Sequence, residues 1–82
     1  MEMQQIRYFL SFCEERNFIR AANRCGVSQP SLTMAVKNLE AKFGGRLVER
    51  SGRQSRLSGL GMIVRPHLAA IDRAAADSRC KA

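Results

Sequence analysis

Apolar residues recur every three or four positions through most of the chain, the spacing of amphipathic α-helices. In the segment 3–15 the apolar positions are 6, 9, 10 and 13. Further along, Leu32, Val36, Leu39 and Phe43 form one stripe. The pattern predicts a first helix over 3–15 and a later helix that buries this stripe and presents a second, polar face.

Boundary residues indicate a short helix between these two. Asn17 is suited to cap its start, and Gly26 can end it in the left-handed conformation that glycine adopts without strain. Ser28 is then the N-cap of the next helix, which should end near residues 44–45. Pro30 is tolerated in its first turn, because the N–H groups there have no intrahelical partner. Two helices joined by a glycine-containing turn predict a helix-turn-helix.

The hydrophobic period changes after residue 46. Residues 47–50 and 55–58 flank a segment with Ser51 and Gly52, which favours a short β-hairpin with a basic tip over an irregular loop. From residue 59 onward, apolar residues return to helical spacing and predict a long helix. Pro66 either kinks this helix or marks its proper start. The chain is therefore divided into residues 1–58 and a long helix over 59–82.

Charge is concentrated in the middle of the chain. The 82 residues carry a net charge of +7 with 45% hydrophobic content. Nine basic and two acidic residues lie between Arg16 and Arg56, so the whole excess falls in this segment. Such a concentration indicates an anionic partner, either nucleic acid or an acidic membrane surface, whereas the alternative is a merely solvated basic face.

Other residue types argue against catalysis, metal binding and a membrane span. Cys13, Cys25 and Cys80 are far apart, and with His67 as the single histidine they form neither a disulfide framework nor a zinc spacing. No nucleophile, base and orienting group are recognisable together. No apolar run reaches the roughly 18 residues of a membrane span. We therefore expect a cytoplasmic protein with no catalytic residues, no metal, no cofactor and no membrane association.

The polar face of the helix after Ser28 suits the major groove of DNA, which admits an α-helix. Gln29 can pair with adenine from the helix N-terminus, where such helices meet base edges. Thr33 and Met34 can contact a thymine methyl group, and Lys37 suits a phosphate. The alternative is that Gln29 caps the helix or is solvated. The predicted base contacts are Gln29, Pro30, Thr33, Met34 and Arg53.

Arginines of the hairpin complement this helix. Arg53 at the tip can enter a narrow minor groove, where the negative potential is enhanced. Arg50 and Arg56 are expected nearer the DNA backbone, and Arg20 and Arg24 can flank the groove from the short helix. The predicted contacts to the DNA backbone are Ser28, Ser31, Lys37, Arg20, Arg24, Arg50 and Arg56.

The apolar stripe of the last helix is long compared with the small unit before it. Part of the stripe is predicted to pack on a second copy of the chain, and the alternative is packing back on the first helix. A two-fold dimer should recognise an interrupted inverted repeat in double-stranded DNA. The predicted interface residues are Leu60, Val64, Leu68, Ile71 and Ala75.

Several motifs resemble the DNA-binding domain of LysR-type bacterial transcriptional regulators, over essentially the whole chain. The matching residues are Phe9, Phe18, the pair Ala21-Ala22, the run Val27-Ser28-Gln29-Pro30-Ser31, Leu39-Glu40, Leu47, Glu49-Arg50 and Gly61. The resemblance implies a mainly α fold: a winged helix-turn-helix of three helices plus a short β-hairpin wing, followed by a long C-terminal linker helix. The third helix would enter the major groove and the wing the minor groove.

Further properties follow from this resemblance alone. The linker helix would continue through Pro66 and dimerise. Family members also carry a C-terminal domain that binds a small effector, so this chain, which stops at Ala82, resembles an isolated DNA-binding fragment. An effector, and a tetramer rather than a dimer, are expected only in a longer protein. The expected location is the bacterial nucleoid.

Four positions depart from the family's usual pattern. Ile19 stands where threonine is common, which removes a phosphate hydrogen bond. Met34 replaces a frequent arginine or glutamine, so the base preference of relatives does not carry over. Val48 in place of phenylalanine thins the packing of the wing, and Gly59-Leu60 loosens its junction with the linker helix.

Two other functions fit the same sequence. A dimerisation or interaction module would use the stripe over 60–75, and the basic segment would only solubilise it. A sequence-blind architectural or RNA-binding protein would bind any duplex of matched length with equal affinity. The small polar groups around Gln29 favour sequence-specific binding over this second alternative.

Overall fold

The computed structural model describes residues 2–51 and 54–81, and in that part it shows four helices and one β-hairpin. The elements are α1 (Met3–Glu15), α2 (Phe18–Cys25), α3 (Gln29–Phe43), β1 (Val48–Ser51), β2 (Gln54–Leu57) and α4 (Gly59–Lys81). The mainly α winged helix-turn-helix expected from the resemblance is confirmed.

Local sequence explains where the helices begin and end. The Asn17 side-chain oxygen accepts a hydrogen bond from the backbone N–H three residues later at 3.0 Å, and the Ser28 hydroxyl accepts an equivalent bond at 3.2 Å. These bonds satisfy N–H groups that have no intrahelical partner. Gly26 (φ 70°) and Gly44 (φ 72°) end α2 and α3 in the left-handed conformation. The predicted caps are therefore confirmed.

The core lies where α1, α2 and α3 pack together under the first turns of α4. Its most deeply buried large side chains are Phe9, Phe12, Ile6, Leu32, Leu39, Leu47 and Leu68. The stripe predicted on α3 is buried at Leu32, Val36 and Leu39, but Phe43 remains 37% exposed. Including Phe43 was wrong, because it is the last residue of α3 and lies at the edge of the packed body. Ala35 is the further buried residue of this helix.

The wing is an antiparallel pair of strands, which confirms the hairpin over the irregular loop. In the register Val48 lies opposite Leu57, and Arg50 lies opposite Ser55. Because side chains alternate between the two faces of a strand, Val48 and Arg50 share one face. Val48 is buried in the core, so this face of the wing is turned toward the helices.

Glu40 on α3 fixes the start of the wing. Its carboxylate oxygen Oε2 accepts hydrogen bonds from the backbone N–H groups of Leu47 at 2.8 Å and Val48 at 3.4 Å. Bonds to an ionised acceptor are stronger than those between neutral groups. The third helix therefore holds the wing through a side chain that belongs to the Leu39-Glu40 motif.

Ser58 and Gly61 connect the wing to α4. The buried Ser58 hydroxyl donates to the Arg46 carbonyl oxygen and accepts from the Gly61 N–H at 3.0 Å. The Ser58 N–H donates to the Leu47 carbonyl oxygen at 2.9 Å. A Cβ atom on Gly61 would lie 2.2 Å from that same carbonyl oxygen, so a side chain is excluded there. We expected Gly59-Leu60 to loosen this junction. It is held by these three hydrogen bonds and by the close approach of Gly61 to the Leu47 carbonyl oxygen.

The long helix α4 continues through Pro66, as the resemblance implied. It packs back on α1, where Val64 (5% exposed) and Leu68 (1% exposed) enter the core and Asp72 pairs with Arg7 at 3.5 Å. Leu60 is also partly buried against this core. This intramolecular packing is the alternative that the sequence left open for the stripe.

The remaining surface of α4 differs from the interface predicted. Val64 and Leu68 are covered within the chain, so they offer almost no area to a second copy. Of the five predicted residues, Ile71 is exposed and Ala75 is partly exposed. The large apolar side chains most accessible on this helix are Met62 and Ile63. None of the described helices has the combination of length and hydropathy required to cross a membrane.

Candidate nucleic-acid interface

The outward face of α3 presents short polar and apolar groups without a negative charge in its first two turns. Thr33 is partly buried and Met34 is 58% exposed. The exposed residues of these turns are Gln29, Pro30, Ser31, Met34 and, one turn further, Lys37. The side chains predicted to touch DNA from this helix therefore lie on its accessible side.

A cleft with a volume of about 350 Å³ separates α3 from the wing. Thr33 and Lys37 line it from α3, and Arg46 and Arg50 line it from the other side. Glu40 also lines this cleft, but its carboxylate is bound by the backbone N–H groups at the start of the wing. The charged side chains of the cleft are therefore predominantly basic, and they lie beside the apolar Phe18, Val36 and Val48.

Arg46 is a residue that the sequence analysis did not assign to the site. It was included in the basic segment but lies between α3 and β1, outside both the helical and the hairpin patterns. Its position two residues before β1 could have indicated its place in the cleft, because the start of the wing lies next to α3.

A smaller concavity of about 180 Å³ lies between the first turn of α2, the N-terminus of α3 and the wing. It is lined by Arg16, Asn17, Phe18, Ile19, Gln29, Arg50 and Ser55. Phe18 and Arg50 line both this concavity and the larger cleft. These two residues therefore form the partition between them.

Arg50 is held against an aromatic ring at this partition. Its guanidinium carbon lies 4.6 Å from the centroid of the Phe18 ring, within the range of a cation–π interaction. The Phe18 ring is in turn 4.5 Å from that of Phe12 in the core. The contact fixes the guanidinium of the wing relative to α2.

Arg24 is not directed toward this surface. Its guanidinium pairs with Glu14 at 2.5 Å and Glu15 at 3.3 Å, both on α1. The hydrogen bond and charge of Glu14 raise the pKa of Arg24 above its ordinary value. In the structure the charge of Arg24 joins α2 to α1, and its assignment to the DNA backbone stays a prediction.

The other arginines predicted to bind DNA differ in position. Arg20 is exposed in the first turns of α2, next to Ile19. Arg56 lies opposite Glu49 in the hairpin, and its Nε atom is 3.9 Å from a Glu49 carboxylate oxygen. Because side chains alternate along a strand, this pair lies on the face of the wing opposite to that of Arg50. Arg53, the predicted minor-groove residue, lies outside the described residues.

Within residues 2–51 and 54–81, His, Cys, Asp and Glu do not gather into a group of three that could hold a metal ion. Cys13 is buried, and that burial raises the pKa of its thiol to about 11. The neutral thiol therefore acts as an apolar core group.

A family model described as "Bacterial regulatory helix-turn-helix protein, lysR family" matches residues 3–62, from α1 into the first turn of α4. The chain belongs to the LysR family. This match confirms the resemblance inferred from the motifs of α2, α3 and the wing. The matched segment includes the deeply buried Phe9 and also Gly61.

Curated relatives of this LysR-family chain are named as transcriptional regulators. BudR of Raoultella terrigena is 41% identical over 61 residues, which cover 74% of this chain and 21% of BudR. IlvR of Caulobacter vibrioides is 38% identical over 76 residues, which cover 88% of this chain and 26% of IlvR. The chain thus spans about a fifth to a quarter of the length of these relatives.

Solved structures of two LysR-family DNA-binding domains have the same fold. The CbnR domain in complex with DNA superposes with a TM-score of 0.91 at 36% identity, covering 99% of this chain and 93% of that one. The BenM domain in complex with catB site 1 DNA gives a TM-score of 0.86 at 28% identity, covering 99% and 86%. The winged helix-turn-helix fold is therefore shared along nearly the whole chain.

Proposed function

We propose that this chain binds double-stranded DNA sequence-specifically, as the DNA-binding domain of a bacterial LysR-type transcriptional regulator. The observation that carries the proposal is the exposed, neutral face of α3 beside a basic cleft. The neutral face supplies groups that distinguish base edges, and the cleft supplies the charge that holds the backbone. The CbnR and BenM domains, whose fold the chain shares, are in complex with DNA in their structures.

In this proposal α3 enters the major groove. Gln29 in its first turn pairs with an adenine, while Thr33 and Met34 contact the neighbouring base, including a thymine methyl group. A good bidentate pair is worth about 1–3 kcal/mol of discrimination against the wrong base. Base choice is therefore assigned mainly to Gln29 and Met34, and Arg53 is proposed to enter the adjacent minor groove.

The two flanks of α3 differ in charge, which predicts unequal contacts to the two DNA strands. On the wing side, Lys37, Arg46 and Arg50 line the cleft. On the α1 side, the described residues that line the concavity between α1 and α3 are Glu2 and neutral residues, without a basic side chain. The strand that runs along the wing side is therefore the one held by phosphate contacts.

We propose that the chain acts as a dimer through α4. Since Val64 and Leu68 are covered within the chain, the contact between copies is assigned to the exposed Met62, Ile63 and Ile71, with Ala75 beyond them. A two-fold dimer recognises an inverted repeat whose half-sites are about 34 Å, or a multiple of that distance, apart. In a full-length protein an effector-binding domain and tetramers would be added, and the site of action would be the nucleoid in the cytoplasm.

Selection of bound duplexes from a random pool tests this function. The proposal predicts recovery of an inverted repeat that binds at least about 1,000-fold more tightly than a scrambled duplex. A pool without a common motif, in which the best duplex and its scrambled control bind alike with the same salt dependence, would indicate sequence-blind binding. Self-association without binding to any duplex would favour an interaction module instead.

A further inference from the structure

Arg16 has an unusual backbone conformation for its residue type. It follows α1 with φ 55° and ψ 28°, and among the described residues it is the one with positive φ that is not glycine. Left-handed backbone brings the Cβ of an L-residue too close to its own carbonyl oxygen, which is why glycine is preferred at this position after a helix. The chain does have glycine at the ends of α2 and α3, so Arg16 retains a side chain where the fold alone favours none.

The Arg16 side chain is exposed and lies at the interface described above. It lines the concavity of about 180 Å³ between α2, the N-terminus of α3 and the wing. Arg50 and Gln29 line the same concavity, and none of the described residues that line it carries a carboxylate. None of the ion pairs found between described residues includes Arg16. Its charge is therefore not engaged in joining parts of the fold, in contrast to that of Arg24.

We propose that Arg16 is a further contact to the DNA backbone. Its guanidinium and that of Arg50 bind a phosphate group next to the base pair read by Gln29, since a guanidinium can donate two parallel hydrogen bonds to phosphate oxygens. To place a cationic side chain at this position, the residue must adopt the strained left-handed backbone. Such local strain is expected where it serves function. This inference rests on the proposed function and adds a residue to it.

Substitutions of Arg16 separate its effect on binding from its effect on folding. Arg16→Gly and Arg16→Asn remove the charge and relieve the strain, whereas Arg16→Lys keeps both. Arg73→Gln, on the exposed surface of α4, removes one charge at a distance from the cleft and serves as the control. Binding to a fluorescein-labelled duplex of about 30 base pairs, roughly three turns of DNA, is measured by anisotropy at several salt concentrations. Thermal unfolding is followed on the same samples.

The inference predicts opposite changes in binding and stability. Arg16→Gly and Arg16→Asn should raise Kd about tenfold and reduce the slope of log K against log salt by about 0.9 per protomer, as one lost phosphate contact does. The same two variants should raise Tm by about 4 °C, because the strain is relieved. Arg73→Gln should bind within about threefold of the unmodified chain at moderate salt. Arg16→Lys keeps the charge but loses the bidentate geometry, so its Kd should lie between those of the unmodified chain and Arg16→Gly, with the salt slope unchanged.

Two results would overturn the inference while leaving the proposed function intact. One is an unchanged Kd and salt slope in Arg16→Gly, and the other is a weaker Kd accompanied by a lower Tm, which would mean that Arg16 supports the fold. Failure of the unmodified chain to bind any duplex would instead overturn the proposed function, and this inference with it.

Discussion

The guanidinium of Arg50 in the wing lies 4.6 Å from the centroid of the Phe18 ring at the start of α2. Phe18 is buried and packs on Phe12, so the wing arginine rests on an aromatic surface that belongs to the core. The contact relates the position of the wing to that of the helix-turn-helix. A charge held in place loses less conformational freedom when it binds a phosphate.

We expect Phe18 to act on DNA through Arg50. Replacing Phe18 with Leu keeps an apolar side chain but removes the ring, so binding should weaken only where Arg50 is present. In a double-mutant cycle with Arg50→Ala, the coupling free energy for DNA binding should be about 0.5–1 kcal/mol. Anisotropy titrations of the four proteins provide the measurement. Additive losses, with Phe18→Leu equally harmful in the Arg50→Ala background, would show that Phe18 has only a packing role.

The two glycines at the start of α4 should respond oppositely to alanine. A Cβ on Gly61 would lie 2.2 Å from the Leu47 carbonyl oxygen, whereas a Cβ on Gly59 would meet no atom within 4 Å. Gly61→Ala should therefore lower the free energy of unfolding by about 2 kcal/mol or more, as overpacking does. Gly59→Ala should be neutral or stabilise by up to about 1 kcal/mol, because alanine restricts the unfolded chain.

Urea denaturation of these two alanine variants measures the difference. An equal effect of both substitutions would contradict the close approach of α4 to the start of the wing, which the hydrogen bonds of Ser58 also indicate.

Stability should fall at alkaline pH through Cys13. Burial raises the pKa of its thiol to about 11, from about 9 for an ordinary thiol. A raised pKa means that the unfolded chain loses the proton first, so the contribution of the neutral thiol is complete below about pH 9 and declines as the pH rises toward 11. Cys13→Ala should lack this component. Urea denaturation between about pH 8 and 11 should therefore show a steeper decline in the free energy of unfolding for the unmodified chain. Parallel declines would contradict the burial of the thiol.

The helix boundaries were predictable because they depend on local chemistry. Asn17 and Ser28 satisfy N–H groups within three residues, and Gly26 and Gly44 supply left-handed backbone next to the helices that they end. The position of Phe43 was not predictable in this way. Periodicity assigns a residue to a stripe, but it does not reveal where the body of the protein stops.

Contacts between distant segments set the limit of prediction at the site. The spacing of Val64 and Leu68 predicted their burial, but both were assigned to a contact with a second copy, whereas they are covered within the chain. Arg24 belonged to the basic segment, yet its ion pair with Glu14, ten residues away, turns its charge toward α1. Arg16 was counted in the basic segment but assigned no contact, because its backbone conformation appears only in the structure.

The most direct test of the account compares Gln29→Ala with Lys37→Ala on two duplexes. One is the sequence recovered by selection, and the other carries a changed base pair at the position that Gln29 contacts. Lys37→Ala should weaken binding to both duplexes alike and reduce the salt slope by about 1, because it removes a phosphate contact. Gln29→Ala should lose about 1–3 kcal/mol on the selected duplex and with it the preference between the two. If both variants lowered affinity uniformly and the preference persisted, α3 would not read bases through Gln29, and the central claim would be contradicted.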